Sequence, residues 1–344
     1  MLEILEVDSE PPLCVGLTYN LKKPSVPGVA QDDQAEYDSM GTVLAIKAAL
    51  EQLPCRVTLI EADESLPDKL IANKPDIVFN IAEGRNGRGR EAQVPAMLSF
   101  LGIPFTGSDE TTLCVCLDKA LAKKLVAREG IKTPRFRVIG SGSADKGRVG
   151  FPAIVKPNAE GSSKGISNMA VVRDASSLRA LLRRNLALYG QEMLVEQYIP
   201  GREFTVGMLG NGRDIRVFEP MEIVYLNQNS PDRIYSFEVK QNYQKLIRYD
   251  CPADIPASLR QKIAGTALKI FTLLGCRDFG RVDFRLSPAG ELYFIEINPL
   301  PGLAPGYSDY PMLAAFDGLS YETLVQGVLR SALKRLGLRP AAEV

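Results

Sequence analysis

From its N-terminus the chain alternates short, near-continuous apolar runs with segments of helical spacing. Leu13–Thr18 predicts a strand. Across Ala35–Leu53, the residues Val43, Leu44, Ile46, Ala49 and Leu50 recur at the spacing of one helix face. Val57–Ile60 predicts a second strand, Leu66–Ala72 a short helix, and Asp76–Ile81 a third strand after the break at Lys74-Pro75. Strands this apolar, separated by helices, predict a parallel sheet covered on both faces, with ligands at the carboxyl ends of its strands. The Gly- and Arg-rich loop Glu83–Arg90 follows one such end; it either faces a ligand or is an exposed surface loop. Helical patterns then cover Glu91–Leu101 and Asp118–Glu129. Past Thr133-Pro134 the pattern changes to short strands and turns with one helix at Ala175–Tyr189. From about Arg202 come further strands, a long polar stretch Leu226–Tyr249, a helix near Pro256–Leu274, a hairpin and a last helix at Tyr321–Leu336. At about 150 residues per domain, this order fits an α/β chain of three lobes.

The sharpest local signal is Phe279–Pro299, where two alternating runs flank Ser287-Pro288-Ala289-Gly290, a hairpin pattern. With Ser287 and Gly290 closing the turn, Arg281 falls opposite Glu296 and Asp283 opposite Phe294. One face then carries Val282, Phe284, Leu286, Tyr293, Ile295 and Ile297. The other carries Arg281, Asp283, Arg285, Glu296 and Asn298. Asp283 and Glu296 sit on a cross-strand diagonal, roughly 7 Å apart at the backbone. Two carboxylates and an amide oxygen beside a guanidinium suit Mg²⁺ shared with phosphates better than a softer metal. The same pattern also describes a solvated strand face with an Arg281–Glu296 ion pair. Pro299-Leu300-Pro301-Gly302 follows as a rigid turn that aims backbone N–H groups at the same place.

Two further segments carry polar chemistry. In Phe151–Ser167 an apolar strand ends in Lys156-Pro157 and a Gly/Ser loop follows. Small residues let backbone N–H groups approach anionic oxygens, Ser162 and Ser163 add hydroxyls, and Lys156 adds a point charge. The loop lacks the G-x-x-x-x-G-K-[ST] spacing of a P-loop. Leu194–Val206 reads as strand–turn–strand, with Glu196 and Glu203 flanking Pro200-Gly201.

Composition narrows the chemistry. Lys+Arg and Asp+Glu are 41 each, so no global field draws the chain to nucleic acid or an anionic membrane, which leaves room only for a local basic patch. No uncharged apolar stretch approaches about 18 residues, and the acidic start MLEILEVDSEPP lacks the features of a signal peptide; a cytoplasmic protein is expected. The six cysteines form no C-x-x-C and are expected to be structural thiols. There is no histidine, which excludes a Ser-His-Asp triad, a Cys-His pair, His-ligated metal and imidazole acid–base catalysis.

Together with Leu117-Asp118-Lys119, and in this order and spacing, these segments resemble the ATP-grasp superfamily, and within it the D-alanine–D-alanine ligase group. The resemblance runs from about Pro75 to Leu336, through Gly102–Ser108, Ile154–Pro157, Glu160–Ser163, Glu203–Val206, Gly280–Asp283, Glu296–Asn298 and Pro301-Gly302. It implies a three-lobed fold with bounds of 1–114, 115–198 and 199–344, the last two lobes α+β in character, and ATP between the central and C-terminal lobes. Lys119 and Lys156 would hold phosphates, with Ser163 in the Glu160–Gly165 loop that closes over them. Glu196, Gln197 and Ile199 would meet the adenine edge, Glu203 the ribose, and Lys240 a phosphate from the covering stretch 226–249. Asp283, Glu296 and Asn298 would hold two Mg²⁺ ions. The implied partners are small molecules, and the implied activity is ATP-dependent joining of two amino acids, a D-Ala-D-Ala pair among them, through an acyl phosphate. Arg281 and the N–H of Gly302 would stabilise the tetrahedral oxyanion, with Ser162 in the catalytic set. Phosphoryl transfer to a carboxylate needs alignment and charge neutralisation rather than a base, which suits a histidine-free chain.

The amino-acid half departs from the family pattern. The glycine-rich opening with its early Glu is missing, and Asp32 or Glu36 are the nearest carboxylates for a substrate amine. Glu83 stands where a His is common, Gln241 where a Tyr is usual with Tyr243 nearby, and Leu303–Ser308 where the family has a Ser-rich stretch. An ATP-grasp small-molecule kinase, or a ligase for a non-alanine substrate of specialised metabolism, would share the same ATP half. A non-catalytic nucleotide-binding module has no need of the metal-type oxygens. Members of the family are often dimers through the first lobe, so the resemblance allows a homodimer.

Overall fold

The computed structural model describes residues 12–23, 36–140, 149–161, 170–226, 234–235, 239–240 and 242–338. Its first sheet is parallel, with β1 (Leu13–Tyr19), β2 (Cys55–Glu61) and β3 (Ile77–Asn80) in the order β2-β1-β3. The helix after β1, α1 (Met40–Leu50), starts later than the apolar pattern, because Ser39 caps it by accepting the Thr42 N–H at 3.2 Å. Helix α2 (Leu66–Asn73) ends at Lys74 in the left-handed region, just before Pro75. With α3 (Gln93–Leu101) it covers one face of the sheet, where Ile60 and Val78 meet Leu70 and Leu98. The other face packs Val15, Leu17 and Phe79 with Val43 and Ile46 of α1. Both faces are covered, as the continuous apolar strands require.

Helices α4 (Glu110–Leu117) and α5 (Lys119–Arg128) meet at one residue. Asp118 ends the first and caps the second, accepting the Leu121 N–H at 3.0 Å and the Asn158 side-chain amide at 2.9 Å. That joint places Lys119 at the first position of α5, facing the next sheet. This second sheet is antiparallel: β4 (Phe136–Ile139), β5 (Ala153–Pro157), β6 (Val171–Val172) and β7 (Met193–Gln197) in the order β4-β7-β5-β6. Leu181 and Leu182 of α6 (Ala175–Tyr189) pack on Val155 and Val195.

The third sheet has six antiparallel strands. They are β8 (Arg202–Leu209), β9 (Arg216–Val217), β10 (Met221–Tyr225), β11 (Ile247–Asp250), β12 (Phe279–Leu286) and β13 (Leu292–Asn298). Their order is β11-β10-β8-β12-β13, with β9 pairing β8. A single helical turn, α7 (Tyr243–Leu246), precedes β11. Beneath the sheet, Ile263, Ile270 and Phe271 of α8 (Ala257–Leu273) meet Phe204, Val206, Val282 and Phe284. After the hairpin come α9 (Asp309–Phe316) and α10 (Tyr321–Leu336). The apolar face of α10, with Leu324, Val325 and Val328, returns to α1 and shares the core of the first sheet. All six cysteines are free thiols. Among the described residues no helix is long and apolar enough to cross a membrane.

Asp278 joins these parts. It is fully buried, sits at φ 64 and accepts hydrogen bonds from the Gly107 N–H, Asn211 and Arg335 at 2.7–3.0 Å. Asp tolerates this left-handed backbone better than most residues. Asp278→Ala removes the acceptor and leaves a partly buried guanidinium unpaired, so a loss of about 3 kcal/mol is expected, the low end of the range for a broken buried pair. Urea unfolding checks this; a change below about 1 kcal/mol would leave the ion pair without weight in the fold.

Candidate active site

The hairpin β12–β13 places the chemistry, with a different register from the alternation read above. The loop is one residue longer: Ser287 pairs with Glu291 around Pro288-Ala289-Gly290, and Gly290 takes φ +78, as a three-residue hairpin loop requires. Alone, that shift would turn Glu296 into the core and Ile297 onto the polar face. A bulge that leaves Ile295 unpaired reverses it, so Asp283 lies directly opposite Glu296 and Arg281 opposite Asn298. The core face is Val282, Phe284, Leu286, Leu292, Phe294 and Ile297, all buried. Tyr293 and Ile295, expected on the apolar face, belong to the other side, where Ile295 lines a cleft.

That cleft lies between the second and third sheets. Its apolar part is Ile154, Ile199, Ile223, Ile234 and Ile295; its polar part is Lys156, Lys240, Arg281, Asp283 and Glu296, with Gln197 and Glu203 also on its wall. A cleft lined by both isoleucines and charged side chains suits a flat base joined to phosphates. Lys240 lines a second cavity too, together with Glu36, Gly302 and Ser308. Lys119 and Asn298 reach the region from the inner side, where the Lys119 ammonium is 3.4 Å from Glu296.

Electrostatics divide the carboxylates. Burial would push Glu296 up, but Lys119, Lys156, Arg281 and Lys123 outweigh it and hold it at about 2. Asp283 accepts Arg281 through two bonds of 3.0 and 2.9 Å, the Thr205 hydroxyl at 2.7 Å and the Asn298 amide at 3.2 Å. Asn298 thus turns its N–H₂ to Asp283 and keeps its carbonyl oxygen for another partner. Three hard oxygen donors on facing strands, Glu296 among them with Lys119 its ion-pair contact at 3.4 Å, fit a hard divalent cation.

Other residues arrive with their charges already matched. Glu196 is buried between Lys156 at 2.7 Å and Lys123 at 2.9 Å; burial opposes its charge, yet the two lysines hold its carboxyl below the usual range. Its carboxylate is therefore committed to these lysines while its neighbours Gln197 and Ile199 line the slot. Glu203 accepts the Tyr225 hydroxyl at 2.6 Å and Arg285 at 3.1 Å, and burial pushes its carboxyl up. Burial lowers Lys240, with Asp309 the largest opposing charge.

Several comparisons bear on this geometry. Residues 125–330 match the family described as D-ala D-ala ligase C-terminus. A D-alanine–D-alanine ligase of Bordetella avium is 33% identical over 262 residues, 75% of this chain and 78% of the relative. The chain belongs to the D-alanine–D-alanine ligase family. An uncharacterised protein of Sinorhizobium fredii, y4sG, is 32% identical over 299 residues, 85% of this chain and 87% of that one. The crystal structure of the Bacillus anthracis D-alanine–D-alanine ligase complexed with ATP shares the fold, with a TM-score of 0.73 at 23% identity over 94% of this chain and 98% of that chain. Membership of this ATP-grasp family makes the chain an ATP-dependent ligase that forms carbon–nitrogen bonds.

Within this ligase the expected site residues divide in three. Lys119, Lys156, Glu196, Gln197, Ile199, Glu203, Lys240, Arg281, Asp283, Glu296 and Asn298 converge on the cleft or its inner edge, and Gly302 borders the adjoining cavity. Ser162, Ser163, Asp32 and Gln241 lie outside the described residues. Glu36 is committed elsewhere, accepting Arg90 at 2.5 Å and the Gly161 N–H, and so ties the first sheet to the start of the Gly/Ser loop. The Glu83–Arg90 loop exposes Arg85, Asn86, Gly87 and Arg88 but is tied down at Gly84 and Arg90. Gly84 takes φ +73 against the Arg90 carbonyl, where a Cβ would come within 2.0 Å, and Arg90 is buried against Glu36, Glu160 and the Ala159 carbonyl. Burial, with Glu91 and Glu36 beside it, pushes the Glu83 carboxyl well up.

Sequence reading missed Lys123 and Asp309. Lys123 is fully buried, and burial lowers it to about 8 against the pull of Glu196. Its signal was available: Lys119 and Lys123 are four apart on one helix and so share a face. Asp309 had no signal, because only the fold brings α9 beside β12.

Proposed function

We propose that this ligase joins two amino acids, with D-alanine as donor and acceptor the first pair to test, through an acyl phosphate. The observation that carries the reading is the bulged hairpin. It places Arg281, Asp283 and Glu296 on the wall of a cleft also lined by isoleucines, with Asn298 paired opposite Arg281, and the amino-acid class rests on the named activity of the Bordetella relative. A donor carboxylate attacks the γ-phosphorus of ATP, releasing ADP and forming the acyl phosphate. The acceptor amine then attacks the carbonyl carbon and expels phosphate, leaving the amide. Asp283, Glu296 and Asn298 would hold two Mg²⁺ ions, whose chemistry is to neutralise phosphate charge. Lys119, Lys156 and Lys240 align the phosphates, and Arg281 with the Gly302 N–H receives the oxyanion of the second step. Ser162 and Ser163 belong to the phosphate loop in this reading. The cleft between two sheets keeps water from the acyl phosphate. ATP dependence puts the enzyme's work in the cytosol.

Phosphate release from ATP, measured over pairs of D- and L-amino acids with mass spectrometry of the products, tests this. The expected result is phosphate release that requires the amine co-substrate and yields one equivalent of dipeptide. A stable phosphorylated product formed without an amine would overturn the ligase reading in favour of a kinase.

A further inference from the structure

The proposed reaction makes no use of Asp309, yet its carboxylate is built into the site. It stands at the first position of α9 and is 1% exposed. Its Oδ1 accepts the hydroxyls of Tyr235 and Tyr249, each at 2.9 Å, and those hydroxyls are 2.7 Å apart. Its Oδ2 accepts Nη1 of Arg281 at 3.3 Å. From the other side, Nε and Nη2 of the same guanidinium fork onto Asp283 at 3.0 and 2.9 Å. Two carboxylates therefore grip Arg281, leaving one N–H on each terminal nitrogen for the cleft that Arg281 lines.

The two grips differ in what else they serve. Asp283 is also among the oxygens placed for a cation, and a carboxylate drawn to a hard cation binds a guanidinium less well. Asp309 is not among those oxygens; its other cationic neighbour is Lys240. Two tyrosine hydroxyls on one oxygen stop its carboxylate from rotating, and the N-terminus of α9 favours its charge.

We propose that Asp309 is a positioning residue for the second step: it keeps Arg281 turned toward the tetrahedral oxyanion when Asp283 loosens its fork. This rests on the reading of Arg281 as an oxyanion donor. The role is local and electrostatic, and it predicts a loss in turnover rather than in nucleotide binding.

Asp309→Asn keeps the shape and removes the charge. Expected are a fall in kcat of about tenfold or more and a KM for ATP within about twofold of wild type. The double variant Tyr235→Phe/Tyr249→Phe should move kcat the same way by a smaller factor. A cycle with Arg281→Lys reads the coupling: once the guanidinium is gone, Asp309→Asn should cost less than about threefold more. Melting temperature and affinity for a non-hydrolysable ATP analogue accompany each measurement. Wild-type kcat in Asp309→Asn, or losses that multiply fully in the cycle, would overturn the proposal. If Asp309→Asn proves too unstable to assay, the tyrosine pair decides, and wild-type kcat there overturns it equally. An Arg281→Lys enzyme at full rate would instead remove the reading of Arg281, whereas a slow Arg281→Lys beside a fast Asp309→Asn removes only the role of Asp309.

Discussion

Glu296→Gln is expected to end amide formation, by more than about 100-fold, in a protein that still folds and still binds nucleotide. Changing a mere partner of a metal ligand already costs roughly 10–100-fold, and here a carboxylate of the proposed set is itself removed. The substitution preserves shape, so the cleft wall stays filled. Because Glu296 is held at about 2, after its lysine and arginine neighbours outweigh burial, it is ionised at every working pH and the variant loses a full charge. The loss should therefore be flat from pH 6 to 9, without the narrowing toward low pH that a carboxylate titrating in this range would give as the wild type itself became neutral. What remains is a more positive pocket of Lys119, Lys156, Lys123 and Arg281, which still attracts triphosphate. Initial rates of phosphate release, with calorimetry of a non-hydrolysable analogue and a melting curve, separate these effects. Wild-type turnover in this variant would sink the assignment of the hairpin face.

Much of this arrangement was legible because the signals were local. The alternation around Ser287–Gly290 announced a hairpin, and Arg281, Asp283, Glu296 and Asn298 do share its polar side. The apolar runs at Val15–Leu17 and Ile77–Phe79 announced a buried parallel sheet, and both faces are covered. What failed was register. The alternation was right about the face and wrong about the partner, because two irregularities, a three-residue loop and the bulge at Ile295, change register without disturbing the polar pattern at Glu296 and Asn298. Neither leaves a mark beyond Gly290 and one apolar residue. Tyr293 and Ile295 were misplaced for the same reason.

The first lobe was read least well where its charges meet the rest of the chain. Glu36 was weighed as a substrate ligand from its position alone, but the folded chain gives it Arg90 and the Gly161 N–H as partners. The Gly-rich loop that carries Arg90 was open to two readings, facing a ligand or lying on the surface. Burial of Arg90 depends on Glu160, distant in sequence, so no local pattern announces it. The last helix shows the same limit: its position was plain, but that it would pack on α1 and also meet Leu209 of β8, so that one core joins the first and third sheets, is decided by the fold.

Arg281→Ala is expected to slow the second step by about 100-fold or more, the usual cost of removing an oxyanion donor, with ATP affinity nearly unchanged. The Arg281 side chain is 12% exposed, and although its partial burial opposes the charge, Asp283 and Asp309 keep it protonated far above any working pH. It is therefore a permanent cation on the cleft wall, with one N–H on each terminal nitrogen beyond those that Asp283 and Asp309 accept among the described residues. Alanine also strands two carboxylates without their cation, a change that can cost about 3–5 kcal/mol of stability, so the Ala variant alone would confound rate with folding. Arg281→Lys supplies the control: it keeps a positive charge between Asp283 and Asp309 but cannot form the fork or present two donors at once. The lysine variant should melt close to wild type and still lose most of the rate. In a single turnover, ADP should appear at the wild-type rate in both variants while dipeptide lags, because phosphoryl transfer does not need the oxyanion donor. If ADP formation slows in step with dipeptide, or ATP affinity falls tenfold while the chemical rate holds, Arg281 serves the nucleotide instead.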